Sequence, residues 1–220
     1  MIIIFSYKRS KMLLKNLEYL SRFGQEIVVL DDNSKYSHKK HDKYCTYIRS
    51  EKNNGRKGYW RQWQTAFDIV KNSDDELFVF MPDDFLKLDF DKITKISKGL
   101  TRASYSFNLI NDGRVKNFNN YPVQKTRIRG FDCKKVGFND CGFFTNKRTL
   151  KKIGFYINEI SNARFRNRPA LSSGVGAQLT ARMDNKNVKM YSPISSLAYH
   201  GDHDSVMHYK ERKKNPLISI

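Results

Sequence analysis

The first thirty residues constrain the fold most. Ile2–Phe5 is an unbroken run of β-branched and aromatic residues, the pattern of a strand buried on both faces. Leu13, Leu14, Leu17 and Leu20 then recur at helical spacing, with Ser10 in place to cap the helix and Gly24 to end it. Glu26–Leu30 supplies a second buried strand through Ile27, Val28, Val29 and Leu30, and stops at Asp31-Asp32-Asn33-Ser34. Strand, helix and strand in so short a length form a βαβ unit, whose crossover connects parallel strands. The expected fold class is α/β, with a mostly parallel sheet flanked by helices.

The alternation continues with a short strand over Tyr44–Ile48, a turn at Asn53-Asn54-Gly55, and a helix over Tyr59–Lys71 with Trp60, Trp63, Phe67 and Val70 on one face. Leu77–Phe80 is another buried strand, broken by Pro82, and Asp89–Leu100 follows as a helix. Beyond residue 100 the pattern weakens. Ala103–Ile110 and Arg114–Phe118 flank Asn111-Asp112-Gly113 and predict a hairpin. After a basic irregular stretch, helices are expected near Lys147–Ile153 and from about Ser172 to Met183, ahead of a polar, His-rich tail. There are no repeats and no low-complexity linker. A chain of 220 residues buries about 70% of its unfolded surface in one core, so a single domain is expected, with residue 100 dividing two sub-regions.

Charge narrows the partners. Forty-one Lys and Arg against 22 Asp and Glu leave +19, and residues 111–170 alone hold fourteen cations against four acids. Such a block implies an anionic partner: nucleic acid, nucleotide phosphates or an acidic surface. The bland alternative is a Lys-rich chain kept soluble by its charge. Cys45, Cys133 and Cys141 form no CxxC pair, which disfavours a disulfide scaffold or a Cys-built zinc site and suits a reducing, cytoplasmic setting. Met1–Phe5 is too short for a signal-peptide core, and no stretch reaches the ~20 apolar residues of a membrane span.

In open parallel sheets, ligands bind beyond the carboxyl ends of the strands. Three such ends are polar here: Ser6-Tyr7-Lys8-Arg9, Asp31-Asp32-Asn33-Ser34 and Met81-Pro82-Asp83-Asp84. A lone loop Asp is more often a helix cap, but three clusters on one edge suggest a site. Adjacent carboxylates after a buried strand are costly unless a cation shares them. Mg2+ or Mn2+ held by one or two carboxylates and substrate phosphates would do so, and would neutralise a departing diphosphate. Arg9, Lys57 and Arg61 can add positive charge, and the amides near Gly55–Gly58 can face phosphate. The alternative for Arg9 and Arg61 is solvated helix charge.

The order IIIFSYKR, EIVVLDDNS, NNGRKGYWRQW and LFVFMPDD resembles the nucleotide-diphospho-sugar glycosyltransferases of GT-A (Rossmann-like) fold, especially the large inverting bacterial family. The likeness is good over residues 1–85 and loose over 139–200. It implies a nucleotide-sugar-binding half over 1–100 and an acceptor-side half over 101–220. It further implies that Ser6, Tyr7 and Arg9 border the nucleoside and phosphates, and that Asp32 or Asp31 bonds the base. Asn54, Gly55 and Arg61 would flank the diphosphate, Asp83 would lie near the ribose, and Asp84 would bind metal. CGFFTNKRTLKKIGFY at 141–156 is similar to the family's acceptor-side segment.

Two departures stand out. The family's Asp-x-Asp motif is incomplete, with Met81 and Pro82 where a first Asp would fall. The late helix, where the family commonly places a Glu-Asp pair, has no carboxylate in Ser172–Gln178. Asp140 is the candidate for the general base that an alcohol acceptor needs, with a turn or helix cap as the alternative. His200, after the apolar Ile194–Tyr199 stretch, matches the late His that completes the metal shell in GT-A enzymes. Its alternative is a surface histidine bonded to Asp202 or Asp204, a reading that also covers His203 and His208.

For the acceptor, Arg127, Arg129, Lys134, Lys135, Lys147, Arg148, Lys151, Lys152, Arg164, Arg166 and Arg168 interleave with Phe131, Phe138, Phe143, Phe144 and Phe165. Cations beside aromatics suit a surface that holds phosphates and stacks a displaced base, although the aromatics also suit a core. LINDGR, NDCGFF, SSGVGAQLTARM and SLAYHGDHDS resemble small bacteriophage glycosyltransferases, some of which modify hydroxymethylated pyrimidines in DNA. The leading expectation is therefore a metal-dependent glycosyltransferase that uses a UDP-linked sugar, with modified DNA as acceptor, acting in the cytoplasm (the host's, if phage-encoded). The alternatives are the same chemistry on a polysaccharide, lipopolysaccharide or protein, and a non-catalytic nucleic-acid-binding module on a degenerate scaffold. Nucleotidylyltransferases are disfavoured because Ser6–Ser10 lacks their Gly-rich loop.

Overall fold

A computed structural model describes residues 1–111, 124–139, 142–166 and 173–201. Strands β1 (Ile2–Ser6), β2 (Ile27–Asp31), β3 (Thr46–Arg49) and β4 (Leu77–Pro82) form a parallel block in the order β3-β2-β1-β4. The sheet continues past residue 100 through β9 (Phe143–Asn146), β6 (Tyr105–Asn108), β10 (Lys189–Pro193), β8 (Phe131–Lys135) and β7 (Gln124–Ile128). β9 runs antiparallel to both β4 and β6, while β6 and β10 are parallel. A separate short pair joins β5 (Phe85–Leu86) to β11 (Tyr199–His200).

The period-two geometry of a strand sends alternate side chains to opposite faces, and β1 feeds two cores in this way. Ile2 and Ile4 join Leu13, Leu17 and Leu20 of α1 (Ser10–Leu20) and Ile93 and Ile96 of α3 (Phe90–Gly99). Ile3 and Phe5 join Trp63, Phe67 and Val70 of α2 (Gly55–Asn72), Leu150 of α4 (Lys147–Ile153) and Leu179 and Met183 of α5 (Val175–Asn185). Trp63 anchors the second core, stacked on Phe5 at 4.6 Å and parallel to Phe143 at 5.8 Å between ring centroids.

Several elements differ from expectation. Arg9, not Ser10, is the N-cap of α1, and α1 has no side-chain cap. α2 begins at Gly55 rather than Tyr59. β6 is paired on both sides, by β9 and β10, and the second arm of the hairpin expected after Ala103–Ile110, Arg114–Phe118, lies outside the described residues. The hairpin actually seen is β7–β8, turning at Arg129-Gly130 with φ of 50° and 85°, the positive pair of a type I′ turn. Among the described residues no helix is long and apolar enough to cross a membrane.

Candidate active site

The three polar strand ends meet at one edge of the sheet. Ser6 sits opposite Asp31 in register, its carbonyl accepts from the Asp32 amide at 3.0 Å, and the Phe5 carbonyl accepts from the Asp83 amide at 3.0 Å. Asp83 is buried and its carboxylate is fully engaged. Ser6 Oγ and the Tyr7 amide donate to Oδ2 at 2.8 and 3.1 Å, and Arg9 Nη1 donates to Oδ1 at 2.7 Å. Burial pushes this carboxyl up from its ordinary value; the Arg9 charge pulls it down, the Asp84 charge adds to the rise, and the hydrogen bonds from Arg9 and Ser6 oppose it.

Asp84, also buried, is engaged on one side only. Its Oδ2 lies 3.0 Å from Arg9 Nη1 and 3.6 Å from His200 Nε2, while its buried Oδ1 meets no hydrogen-bond donor among the described residues. The β5–β11 pair makes this geometry, setting His200 opposite Phe85 and letting the Gly201 amide donate to the Asp84 carbonyl at 2.7 Å. His200 Nδ1 is 3.0 Å from the Gly201 carbonyl. A carbonyl only accepts, so the proton on that side belongs on Nδ1, and Nε2 is the ring nitrogen turned toward the Asp84 carboxylate.

The other predicted positions are placed as follows. Asp31 accepts from the Ser34 amide at 2.8 Å, from Ser34 Oγ at 2.5 Å and from Arg49 Nε at 3.1 Å, and is fully buried. Asp32 caps α2: the Asn54 and Gly55 amides donate to its two oxygens, both at 2.7 Å, and Asn54 Nδ2 adds a third bond at 3.1 Å. Those two amides therefore face a carboxylate of the chain itself. Lys57 and Arg61 are exposed, Arg61 lying over the Trp60 ring at 5.0 Å. Their neighbour Arg56 is more enclosed, over the Phe165 ring at 5.5 Å. Tyr7 is half-buried beside Asp83. Asp140, His203 and His208 lie outside the described residues.

No protein-family model matches this sequence, and no curated protein sequence matches it. Solved structures do. The crystal structure of glucosyl-3-phosphoglycerate synthase from Mycobacterium tuberculosis, in complex with Mn2+ and uridine-diphosphate-glucose, superposes with a TM-score of 0.53 at 10% identity, covering 92% of this chain and 71% of that one. The fold is GT-A. The bifunctional IspDF from Campylobacter jejuni aligns over 90% of this chain at 13% identity with a TM-score of 0.47, and the chain spans 50% of the length of that protein.

No cluster of three or more His, Cys, Asp or Glu side chains gathers among the described residues. Asp84 Oδ2 and His200 Nε2, 3.6 Å apart, are the two donors that could hold a cation, and Asp84 Oδ1 is buried with no hydrogen-bond donor among the described residues. Two protein ligands suit Mg2+ or Mn2+, which commonly keep waters and take substrate phosphates.

The basic block divides. Lys147 is buried, its Nζ capping the end of α2 through the carbonyls of Val70 at 2.7 Å, Lys71 at 3.1 Å and Ser73. Because Asn146 lies opposite Leu77, α4 starts at the edge of the sheet remote from Asp84, and takes Arg148 there with it. Arg164 and Arg166 are exposed beside Phe165, on the side of α2 where Arg56 lies. Phe143, Phe144 and Phe165 are core residues, which removes them as stacking surfaces for a base.

Proposed function

We propose that this chain is a glycosyltransferase that binds a nucleotide-diphosphate sugar, such as a UDP-sugar, at the edge formed by Ser6–Arg9, Asp32–Gly55 and Asp83–Asp84, with Mn2+ or Mg2+ held by Asp84 and His200. The observation that carries the reading is the buried Asp84 carboxylate facing His200 with one oxygen unsatisfied. The GT-A fold shared with an enzyme crystallised with Mn2+ and UDP-glucose supports it. The cation, when bound, neutralises charge on the leaving diphosphate. Ser6 and Tyr7 hold Asp83 for the ribose, and Arg9 adds a positive charge beside the pair. Arg56 joins Lys57 and Arg61 as a cation for the phosphates. Asp140 is the proposed base that takes the acceptor hydroxyl proton.

The acceptor is proposed on charge: +19 overall, with Arg164 and Arg166 exposed near the start of α2, suits an anionic acceptor, and hydroxymethylpyrimidine-type DNA is the one we propose. The test is incubation with a panel of labelled nucleotide sugars and Mn2+, with plain and hydroxymethylated DNA offered side by side. Label entering only the modified DNA is the expected result. Asp84→Asn lowers transfer by about a hundredfold. Donor turnover with no label in DNA moves the acceptor to a glycan or protein. No donor turnover or binding under any condition overturns the transferase reading.

A further inference from the structure

Adjacent buried carboxylates need a cation, and in this structure a side chain of the protein supplies it. Arg9 Nη1 lies 2.7 Å from Asp83 Oδ1 and 3.0 Å from Asp84 Oδ2. The turn after β1 aims it there. Lys8 takes φ of 59°, left-handed for a residue with a side chain, and its amide is held by Ser34 Oγ at 2.8 Å. Burial by itself acts to lower the Arg9 pKa, but the two carboxylates outweigh it and the net direction is up. One guanidinium against two carboxylates still leaves the group net negative, and Asp84 Oδ1 is the oxygen it does not satisfy.

We propose that Arg9 is a displaceable counter-cation: it neutralises the Asp83–Asp84 pair in the donor-free protein and passes to the diphosphate when donor and divalent cation bind together. This rests on the donor-site reading above. A cation arriving alone at Asp84 meets the guanidinium charge already there, so Arg9 opposes it. A diphosphate arriving alone draws Arg9 away and exposes two buried carboxylates to each other. Arriving together, the dication compensates the carboxylates and the guanidinium compensates the phosphates. Each ligand thus strengthens the other through Arg9, and linkage makes the effect reciprocal.

The experiment measures Mn2+ binding by the loss of the free-ion electron paramagnetic resonance signal, without and with UDP, for the wild-type chain, Arg9→Gln and Arg9→Lys. Arg9→Gln is expected to bind Mn2+ alone about tenfold more tightly than wild type, and to lose the same factor from the enhancement by UDP. Arg9→Lys, which keeps the charge, is expected to stay near wild type. Thermal unfolding gives an independent readout: Mn2+ raises the midpoint of Arg9→Gln more than that of wild type. UDP-dependent Mn2+ binding by wild type, together with unchanged or weaker Mn2+-alone binding by Arg9→Gln, overturns the role of Arg9 and leaves the donor site standing. An Arg9→Lys variant that behaves like Arg9→Gln also overturns it, because charge is then not the cause. Absence of Mn2+ binding by all three with UDP present overturns the donor site as well.

Discussion

Asp83 and Asp84 are neighbours in the chain with different duties. Asp83 is satisfied by Ser6, the Tyr7 amide and Arg9, which ties the end of β1 to the end of β4. Asp84 turns Oδ2 toward Arg9 and His200 and keeps its other oxygen, Oδ1, buried and without a donor among the described residues. Asp32 shows the same economy in reverse, since both its oxygens are used by the first amides of α2. A carboxylate there completes orphan N–H groups and meets the positive end of the helix dipole. Asp32→Ala is expected to cost about 1–2 kcal/mol in urea unfolding, with Asp32→Asn costing less because its amide oxygen still accepts. Equal stability of Asp32→Ala and wild type would show that the cap is not holding α2.

At the scale of elements, the site depends on a two-residue pairing. β5 and β11 hold Asp84 against His200, and Phe85 of that pair leans on Gly142, where an added Cβ would lie 2.3 Å from Phe85 Cε2. Gly142→Ala is expected to destabilise the fold by about 1–3 kcal/mol and to weaken Mn2+ binding in the presence of UDP, since Phe85 must shift. Loss of stability with unchanged Mn2+ affinity would separate the pairing from the site.

Much of this was legible beforehand where burial was two-sided. Ile2–Phe5, Ile27–Leu30 and Leu77–Phe80 announce central strands, and the Asp and Ser clusters after them announce the edge. β9 was not legible, because Phe143–Asn146 is four residues long and its place between β4 and β6 is set by long-range pairing. The β7–β8 turn escaped because Arg129 takes a positive φ that sequence assigns to Gly, Asn or Asp. Asp84 and His200 were expected together only through the resemblance to GT-A enzymes, and the structure sets them 3.6 Å apart. The hold of Arg9 on both carboxylates, and of Asp32 on α2, depends on side-chain directions that spacing does not reveal.

Over the whole molecule, the +19 charge is spent in more than one way. Lys147 is a buried helix cap, and Arg148 lies toward the edge remote from Asp84, so among the described residues the cations at or beside the donor edge include Lys8, Arg9, Arg49, Arg56, Lys57 and Arg61, with Arg164 and Arg166 beside Arg56. If these hold an anionic polymer by about three phosphates, its affinity falls about 20- to 40-fold between 50 and 200 mM salt. A slope near zero would assign the charge to solubility instead. The most direct measurement is anomalous scattering from Mn2+ in a crystal grown or soaked with UDP. The account predicts a peak within bonding distance of both the Asp84 carboxylate and His200 Nε2, adjoining the diphosphate. A nucleotide bound with no metal at Asp84, or Mn2+ seated on other residues, would contradict it.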